Sequence, residues 1–374
     1  MKIAHVIGSC SAGGAEVFVK DLIKQLKFLG HNVELWVMIR AKDTNLANKQ
    51  TMDFEKSFIS ELNSHDVPVR FLNKRPHKDW MKTIRNLRER YDIFKPQIVH
   101  SHLESVTFHV VKALSSKTNV VQTIHSSVID FPFLQKIYLN RKISHYVAIS
   151  NKVRSILTNS LNLKPEKIAT TYNGIDLKKF KINRRNNSEV KKIISIGRLT
   201  KAKDYPNLFK ALDILIPKLN KQNLPLPSVD IVGNGEIENE LKALTKKMNL
   251  DNIVSFLGVR QDIPELLKES DIYIMSSEWE GLSISLIEAL ASGIPIVATN
   301  AGSNNEVVEN NVSGIIVPIK DPEALAEGIY NLIINKDLRD RLSKEAVKRS
   351  ELFSIENCAK KHVEMYKELI SHSR

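Results

Sequence analysis

The stretch IYIMSSEWEGLSISLIEALASGIPIVA, residues 272–298, alternates element types within a single short span. Ile272–Met275 is an apolar run of strand length. A polar loop follows, ending at Glu280-Gly281. Ser283–Ser292 then carries apolar residues at helical spacing. Gly293-Ile-Pro295 stops the helix, and a second apolar run, rich in β-branched residues, begins. Short continuous apolar runs are what strands buried on both faces look like, and a helix between two of them is the signature of a parallel crossover.

The same alternation runs through the whole chain. In the first half the apolar runs are Lys2–Ile7, Val33–Ile39, Val67–Phe71, Gln97–His100, Val120–Ile124, Tyr146–Ile149 and Ile168–Tyr172. In the second half they are Lys192–Ile196, Ser228–Val232, Ile253–Phe256, Ile272–Met275, Ile294–Ala298 and Gly314–Val317. Amphipathic helical patterns separate them, among them Glu16–Leu29, Asp204–Leu219, Glu236–Met248 and Pro322–Ile334. The reading is α/β with parallel sheets. So many strands exceed one open sheet, so two sheets in two domains are expected. The polar, basic segment Leu177–Asn187 is the expected linker. It sets domains at 1–180 and 181–354, followed by a tail helix within 355–374 that can cross back to the first domain.

Composition narrows the function. The 374 residues hold 42% hydrophobic and 26% charged side chains, a globular balance. Cys10 and Cys358 lie far apart with no CxxC partner, which excludes a disulfide framework and a cysteine zinc site. No apolar run reaches the length of a membrane span, and the start lacks a signal-peptide pattern, so a cytoplasmic protein is expected. The net charge of +13 is uneven. Residues 1–180 contain 28 Lys+Arg and 15 Asp+Glu, whereas residues 181–374 contain 27 of each. The whole excess sits in the first half, which suits an anionic partner.

Each half opens with a strand running into a glycine-bearing loop. The first is Gly8-Ser-Cys-Ser-Ala-Gly13-Gly14. It is not GxGxxG, and the next strand ends in Arg40 instead of an acidic ribose ligand, so a nicotinamide cofactor is disfavoured. A Walker loop is absent too. In the second half, Ile193–Ile196 delivers Arg198 and, five residues on, Lys203 to the start of a helix, a pairing suited to a diphosphate. Further strands end at Gly233-Asn234-Gly235 and at Gly258-Val259-Arg260. The 272–298 stretch adds Glu280 in its loop and Glu288 in the following helix. Backbone N–H groups around Ser283–Leu286 are placed to hold a phosphate. Ser285-x-x-Glu288 also reads as a capping box, which would explain Glu288 but not Glu280.

Together these residues resemble the retaining glycosyltransferases of family 4, which have the GT-B fold. The resemblance runs over nearly the whole chain, in order: Gly13-Gly14; Asn173-Gly174-Ile175-Asp176 with Phe180; Gly197-Arg198-Leu199 with Lys203; Gly233-Asn234-Gly235; Phe256-Leu-Gly258; Glu280 and Glu288; Ala291–Ala298; and Glu306-Val-Val308 with Gly314. It implies two Rossmann-like domains facing a central cleft, with the acceptor on the N-terminal domain and a nucleotide-sugar donor, UDP-linked by preference, on the C-terminal one. Arg198 and Lys203 would hold the donor diphosphate, with Gly13, Gly14 and the backbone of Gly281, Leu282 and Ser283 near phosphate or sugar. Gly233 and Asn234 would belong to the donor-domain loop. Glu288 would bind ribose, Val259 and Arg260 would lie by the base, and Glu280 would face the sugar. Many relatives have Phe-Gly where this chain has Leu282-Ser283.

A histidine matching His125 lies near the donor sugar in the family, so Glu280 and His125 are the expected catalytic residues. The expected chemistry is front-face substitution with retention, without a metal or other cofactor. No Asp-x-Asp closes a strand, and His100 and His102, two apart, lack an accompanying carboxylate; they read as hydrogen-bonded histidines at a cleft edge.

The basic first half contains a candidate amphipathic helix within Arg70–Lys95, with Trp80, Met81, Ile84, Leu87 and Tyr91 at helical spacing. A second candidate is the aromatic and basic segment Ile129–Lys142. Both suit peripheral contact with an anionic membrane at the inner face, and a glycan or lipid-linked acceptor in cell-envelope polysaccharide or glycoconjugate synthesis. The alternatives are a GT-B sugar-nucleotide epimerase, disfavoured by the glutamate pair, and a glycosyltransferase acting on nucleic acid, disfavoured because no nucleic-acid-binding motif is present.

Overall fold

The computed structural model describes residues 1–372 except 12, 46, 77, 115–117, 130, 131 and 182–188. The chain forms two compact units, Met1–Gly174 with Ile355–Arg374, and Ile175–Ser354.

The N-terminal unit alternates β1 (Lys2–Ile7), α1 (Gly14–Phe28), β2 (Asn32–Val37), α2 (Lys49–Asn63), β3 (Val69–Phe71), α3 (Trp80–Phe94) and β4 (Ile98–His102). It continues through α4 (Glu104–Ala113), β5 (Asn119–Ile124), α5 (Pro132–Ile137), β6 (His145–Ala148), α6 (Asn151–Asn159) and β7 (Ile168–Thr170). All seven strands are parallel, in the order β3-β2-β1-β4-β5-β6-β7.

The C-terminal unit follows with β8 (Lys192–Ile196), α7 (Tyr205–Lys221), β9 (Ser228–Val232), α8 (Glu238–Lys247), β10 (Val254–Gly258), α9 (Ile263–Glu269) and β11 (Ile272–Met275). Then come α10 (Ile284–Ser292), β12 (Ile296–Thr299), α11 (Asn304–Val307), β13 (Ile315–Val317), α12 (Pro322–Ile334) and α13 (Lys336–Ser350). Its six strands are also parallel, in the order β10-β9-β8-β11-β12-β13. Each expected apolar run is therefore a strand, give or take a residue or two at its ends.

In both sheets the strand order reverses beside the first strand: β1 stands between β2 and β4, and β8 between β9 and β11. The connections leave in opposite directions there, opening a crevice beyond the strands' carboxyl ends where ligands of such sheets bind. The strands are buried almost throughout; β12 and β11 have no exposed residue. In the C-terminal unit, α7 and α12 cover one face, packing Leu208, Leu212, Leu325 and Ile329 against Ile193, Ile231 and Val297.

The last helix, α14 (Ile355–His372), belongs to the N-terminal unit and packs against α1. The change of unit falls at Gly174, before the expected 180. Ile175 already donates its N–H to Phe353 O at 2.9 Å, and Phe180 is buried on a short 3₁₀ turn at Leu177–Phe180. Most of the expected linker, 182–188, lies outside the described residues.

The basic stretch at 70–95 divides into the end of β3, a connection and α3, whose buried residues are Thr83, Leu87 and Phe94. Several of its cations are committed internally. Arg90 pairs with the buried Glu34, whose Oε2 also accepts from Trp36 Nε1 at 2.8 Å. Arg88 Nε donates to Ala113 O at 2.9 Å, and Arg75 binds Asp79. Trp80 and Met81, which fall at helical spacing with the core residues, are instead 54% and 68% exposed.

Removing one partner of a buried pair leaves the other charge uncompensated. Arg90→Ala is therefore expected to destabilise the protein by about 3 kcal/mol. Adding Glu34→Gln, which keeps the acceptor for Trp36, should recover a clear part of that loss in a denaturant titration.

Candidate functional site

In the C-terminal unit the loops beyond β8, β9, β10 and β11 converge backbone on backbone. Gly197 donates its N–H to Val232 O at 2.9 Å, Leu199 donates to Asn234 O at 2.8 Å, and Gly233 donates to Gly258 O at 2.8 Å. This close approach explains the glycine at 233. Its φ is +135°, and a Cβ there would stand 2.0 Å from Gly197 O. Gly302 is the second such case: φ is +54°, and a Cβ would lie 1.9 Å from Glu280 O. The loop after β12 thus supports the backbone of Glu280 directly.

Lys203 ends a 3₁₀ turn, Lys201–Lys203, just before α7. Its aliphatic stem lies over Gly197, where a Cβ would meet Lys203 Cε at 2.8 Å. Its Nζ reaches Glu280 Oε1 at 2.5 Å, with both side chains mostly buried. Ser277 Oγ donates to the same carboxylate oxygen at 2.7 Å. Ser276 Oγ fastens the other side of the turn, donating to Lys203 O at 2.9 Å, and Glu278 N–H donates to Ala202 O at 2.8 Å. The β11 loop and the β8 loop are therefore locked together, and two residues far apart in sequence become one ion pair. Arg198, at the mouth of β8, is exposed, and no ion pair holds it among the described residues.

The helix after this loop starts differently from the sequence expectation. Ser283 is the N-cap of α10 and makes no side-chain cap bond. Ser285 lies inside the helix, accepting from Tyr273 Oη at 3.0 Å and donating to Ile196 O at 2.9 Å. The expected capping box is thus absent, because a strand carbonyl takes the serine hydroxyl. Glu288 lies one turn further along and is buried. The first-turn N–H groups of a helix have no intrahelical acceptor, so the α10 start offers donors beside Lys203–Glu280. Gly281, Leu282 and Ser283 are buried.

Val259 is half-buried at the end of β10. Arg260 is exposed and forms a two-point pair with Asp262, with Nε to Oδ1 at 2.8 Å. That hydrogen bond raises the arginine's pKa and lowers the aspartate's. The Arg260 charge is thus already matched by a neighbour two residues away.

The N-terminal unit contributes its own cluster. Gly13 is the buried N-cap of α1, and Gly14, its first residue, is exposed. His125 follows β5. His100 and His102 lie inside β4, fully buried, instead of at an edge as the sequence suggested; their two-residue spacing turns both onto one face of the sheet. His5 faces them from β1, in register with His100. His5 Nδ1 stands 3.0 Å from His102 Nε2, and His102 Nδ1 stands 3.0 Å from His125 Nε2. His100 binds Thr123 Oγ1 through Nε2 at 2.7 Å and the Tyr366 hydroxyl of α14 through Nδ1 at 2.5 Å. His362 of α14 donates Nδ1–H to Cys358 O at 2.8 Å.

His5, His100 and His102 bring three ring nitrogens within 4.8 Å of one another, a possible ligand count for a metal ion. Five of the six ring nitrogens of these residues already engage one another, Thr123, Tyr366 or His125, which is the arrangement of a hydrogen-bonded network. Burial holds His125 and His5 down to a pKa of about 3, with His362 adding to the shift. It also holds His362 at about 4. All are neutral at neutral pH. Sequence reading missed His5, Thr123, His362 and Tyr366. The available signal was a polar residue inside an otherwise apolar β1.

The family model for Glycosyl transferases group 1 matches residues 177–349, and that for Glycosyltransferase Family 4 matches residues 12–179. The Escherichia coli UDP-Gal:alpha-D-GlcNAc-diphosphoundecaprenol alpha-1,3-galactosyltransferase is 28% identical over 79% of this chain and 81% of its own length. The Bacillus subtilis spore coat protein SA is 28% identical, over 56% of this chain and 60% of its own. The crystal structure of Anabaena HepE in complex with UDP-glucose superposes with a TM-score of 0.82 at 20% identity, covering 98% of this chain and all of that one. The two sheets and the matched families define a glycosyltransferase of the GT-B class. Within that class, the chain belongs to family 4.

The glycine beneath Glu280 yields a direct expectation. Gly302→Ala combines a left-handed backbone with a clash against Glu280 O, and should cost about 2 kcal/mol or more in a thermal or denaturant melt. Gly30→Ala shares the positive φ (+81°) but meets nothing within 4 Å, and should cost less.

Proposed function

We propose that this protein is a retaining transferase that moves a sugar from a UDP-sugar to a lipid-linked or envelope glycan acceptor. The observation that carries the reading is the Lys203–Glu280 pair, set beside the exposed Arg198 and the α10 start beyond the carboxyl ends of β8 and β11. A site that must bind a diphosphate and a sugar together needs cations, oriented N–H donors and a hydrogen-bonding carboxylate in one place. The names of two similar proteins support the donor and acceptor classes: one uses UDP-Gal on a diphosphoundecaprenol-linked sugar, and the other was crystallised with UDP-glucose.

On the C-terminal unit, Arg198, Lys203 and the α10 amides take the diphosphate. Glu288 takes the ribose, and Val259 with Arg260 borders the base beside the Gly233-Asn234 loop. Glu280, oriented by Ser277 and Lys203, accepts from sugar hydroxyls. His125 is the catalytic residue assigned to the N-terminal unit. The bond from the anomeric carbon to the diphosphate oxygen breaks as the bond to the acceptor oxygen forms on the same face. The acceptor's hydroxyl proton passes to the departing phosphate oxygen. The cations and N–H groups stabilise the charge on that leaving group, so the reading assigns no metal or other cofactor to the step.

The basic N-terminal unit is assigned to a cytoplasmic location at the inner membrane face. Exposed Trp80, Met81 and Phe133 lie among its cations. Among the described residues, no helix is long and apolar enough to cross a membrane.

Two experiments test the reading. A donor that binds the folded state raises its melting temperature, so UDP-sugars should shift it and Arg198→Ala should weaken the shift severalfold. Glu280→Ala should lower turnover by roughly 100-fold or more with donor binding retained. Wild-type turnover in Glu280→Ala would remove that residue from the catalytic list. Separately, the protein should float with anionic liposomes at low salt and release as salt rises; absence of binding at low salt would eliminate the membrane assignment.

A further inference from the structure

We propose that His5 and His102 are positioning residues that fix which ring nitrogen of His125 carries its proton, through one three-imidazole hydrogen-bonded chain inside the N-terminal sheet.

A neutral imidazole has one N–H and one lone pair. In this chain each contact joins an Nδ1 to an Nε2: His5 Nδ1 to His102 Nε2, and His102 Nδ1 to His125 Nε2, each 3.0 Å. Both contacts can be hydrogen bonds only if the donors run in one direction. The chain then has two states. Either all three rings carry the proton on Nδ1 or all three carry it on Nε2. In the first state, His125 presents an N–H at its other nitrogen; in the second, it presents a lone pair. That nitrogen, His125 Nδ1, is buried and has no partner, as is His5 Nε2 at the far end. The chain therefore terminates in two unsatisfied polar atoms, and a group meeting one end sets the proton position at the other.

The surroundings keep the chain isolated. His100 stacks on His102 with ring centroids 4.5 Å apart, yet its own nitrogens are held by Thr123 and Tyr366. From α14, His362 is bonded to Cys358 O. From α1, Phe18 packs edge-on to His125, and Glu16 lines a small cavity with Gly8, Val19 and His102. Burial keeps all three rings neutral at working pH, the condition for a tautomeric chain.

The proposal rests on the function above only for the effect on turnover; the tautomer coupling is independent of it. The test is histidine ¹⁵N NMR on the full chain, with His5, His102 and His125 assigned, in the wild type, His5→Phe and His102→Phe. The expected result is one common tautomer for the three rings in the wild type, lost at His125 in His102→Phe; in His5→Phe, His125 still matches His102 but the shared tautomer's population shifts. Turnover should fall by roughly tenfold while the donor KM stays within roughly twofold. If His102→Phe does not fold, His102→Gln, whose longer amide takes the Nε2 position facing His5 and leaves His125 Nε2 without its partner, replaces it with the same expectation.

Mixed tautomers in the wild type, or an unchanged His125 signal in a folded variant, would overturn the proposal. So would tight stoichiometric zinc binding that abolishes these imidazole N–H signals. If His125→Ala transfers sugar normally while the wild-type tautomers are coupled, the assigned role of His125 fails and the chain stands.

Discussion

In a parallel sheet every strand must be carried back to the same edge before the next begins. All carboxyl ends therefore share one side, and all the loops that follow them share it too. In this protein that constraint operates twice, around β1 and around β8, where the strand order reverses and neighbouring connections part. Most of the proposed site residues lie near those ends: Gly13, Gly14 and His125 in one unit, and Arg198, Lys203, Glu280 and the start of α10 in the other. The sheets are buried on both faces because helices must cover them. Polar side chains therefore concentrate on the loops and helix starts at those ends.

Opposed charges and missing side chains cooperate in the C-terminal loops. Gly233 and Gly302 let main chains approach closely, which brings the β9 loop against the β8 loop and the β12 loop against the β11 loop. On that platform the Lys203–Glu280 pair is held at both ends by serine hydroxyls. Arg198 is left exposed, whereas Arg260 is matched by Asp262. The neutral overall charge of this half therefore conceals an uneven placement. In the N-terminal half the positive excess is partly structural. Arg90 neutralises a buried glutamate, and Lys20 and Lys24 clamp Glu61, whose pKa they lower to about 2 against the opposing effect of burial.

The strands were legible because buried parallel strands are apolar without interruption, and β-branched runs of that length have few other uses. Both sheets followed from these runs, and the family from the resemblance that the ordered motifs carry. What could not be read depended on contacts across the fold. Ser285 looks like a cap in sequence, but Ile196 O from a different strand claims its hydroxyl. His100 and His102 were visible as a pair, while His5 and Tyr366 join them only through strand register and the docking of α14. The unit boundary was displaced because Ile175 pairs with Phe353, a contact no linear pattern announces.

That pairing has a consequence for the birth of the molecule. Residues 175–354 form their unit from one uninterrupted segment, but the N-terminal unit is assembled from two, and its second piece is α14. A ribosome delivers the C-terminal unit in full before it has made Cys358, His362 and Tyr366. Until then α1 lacks the helix that packs against it, and His100 lacks its tyrosine. Domains tend to mature in the order they are synthesised; in this chain the first to be started is the last to be finished.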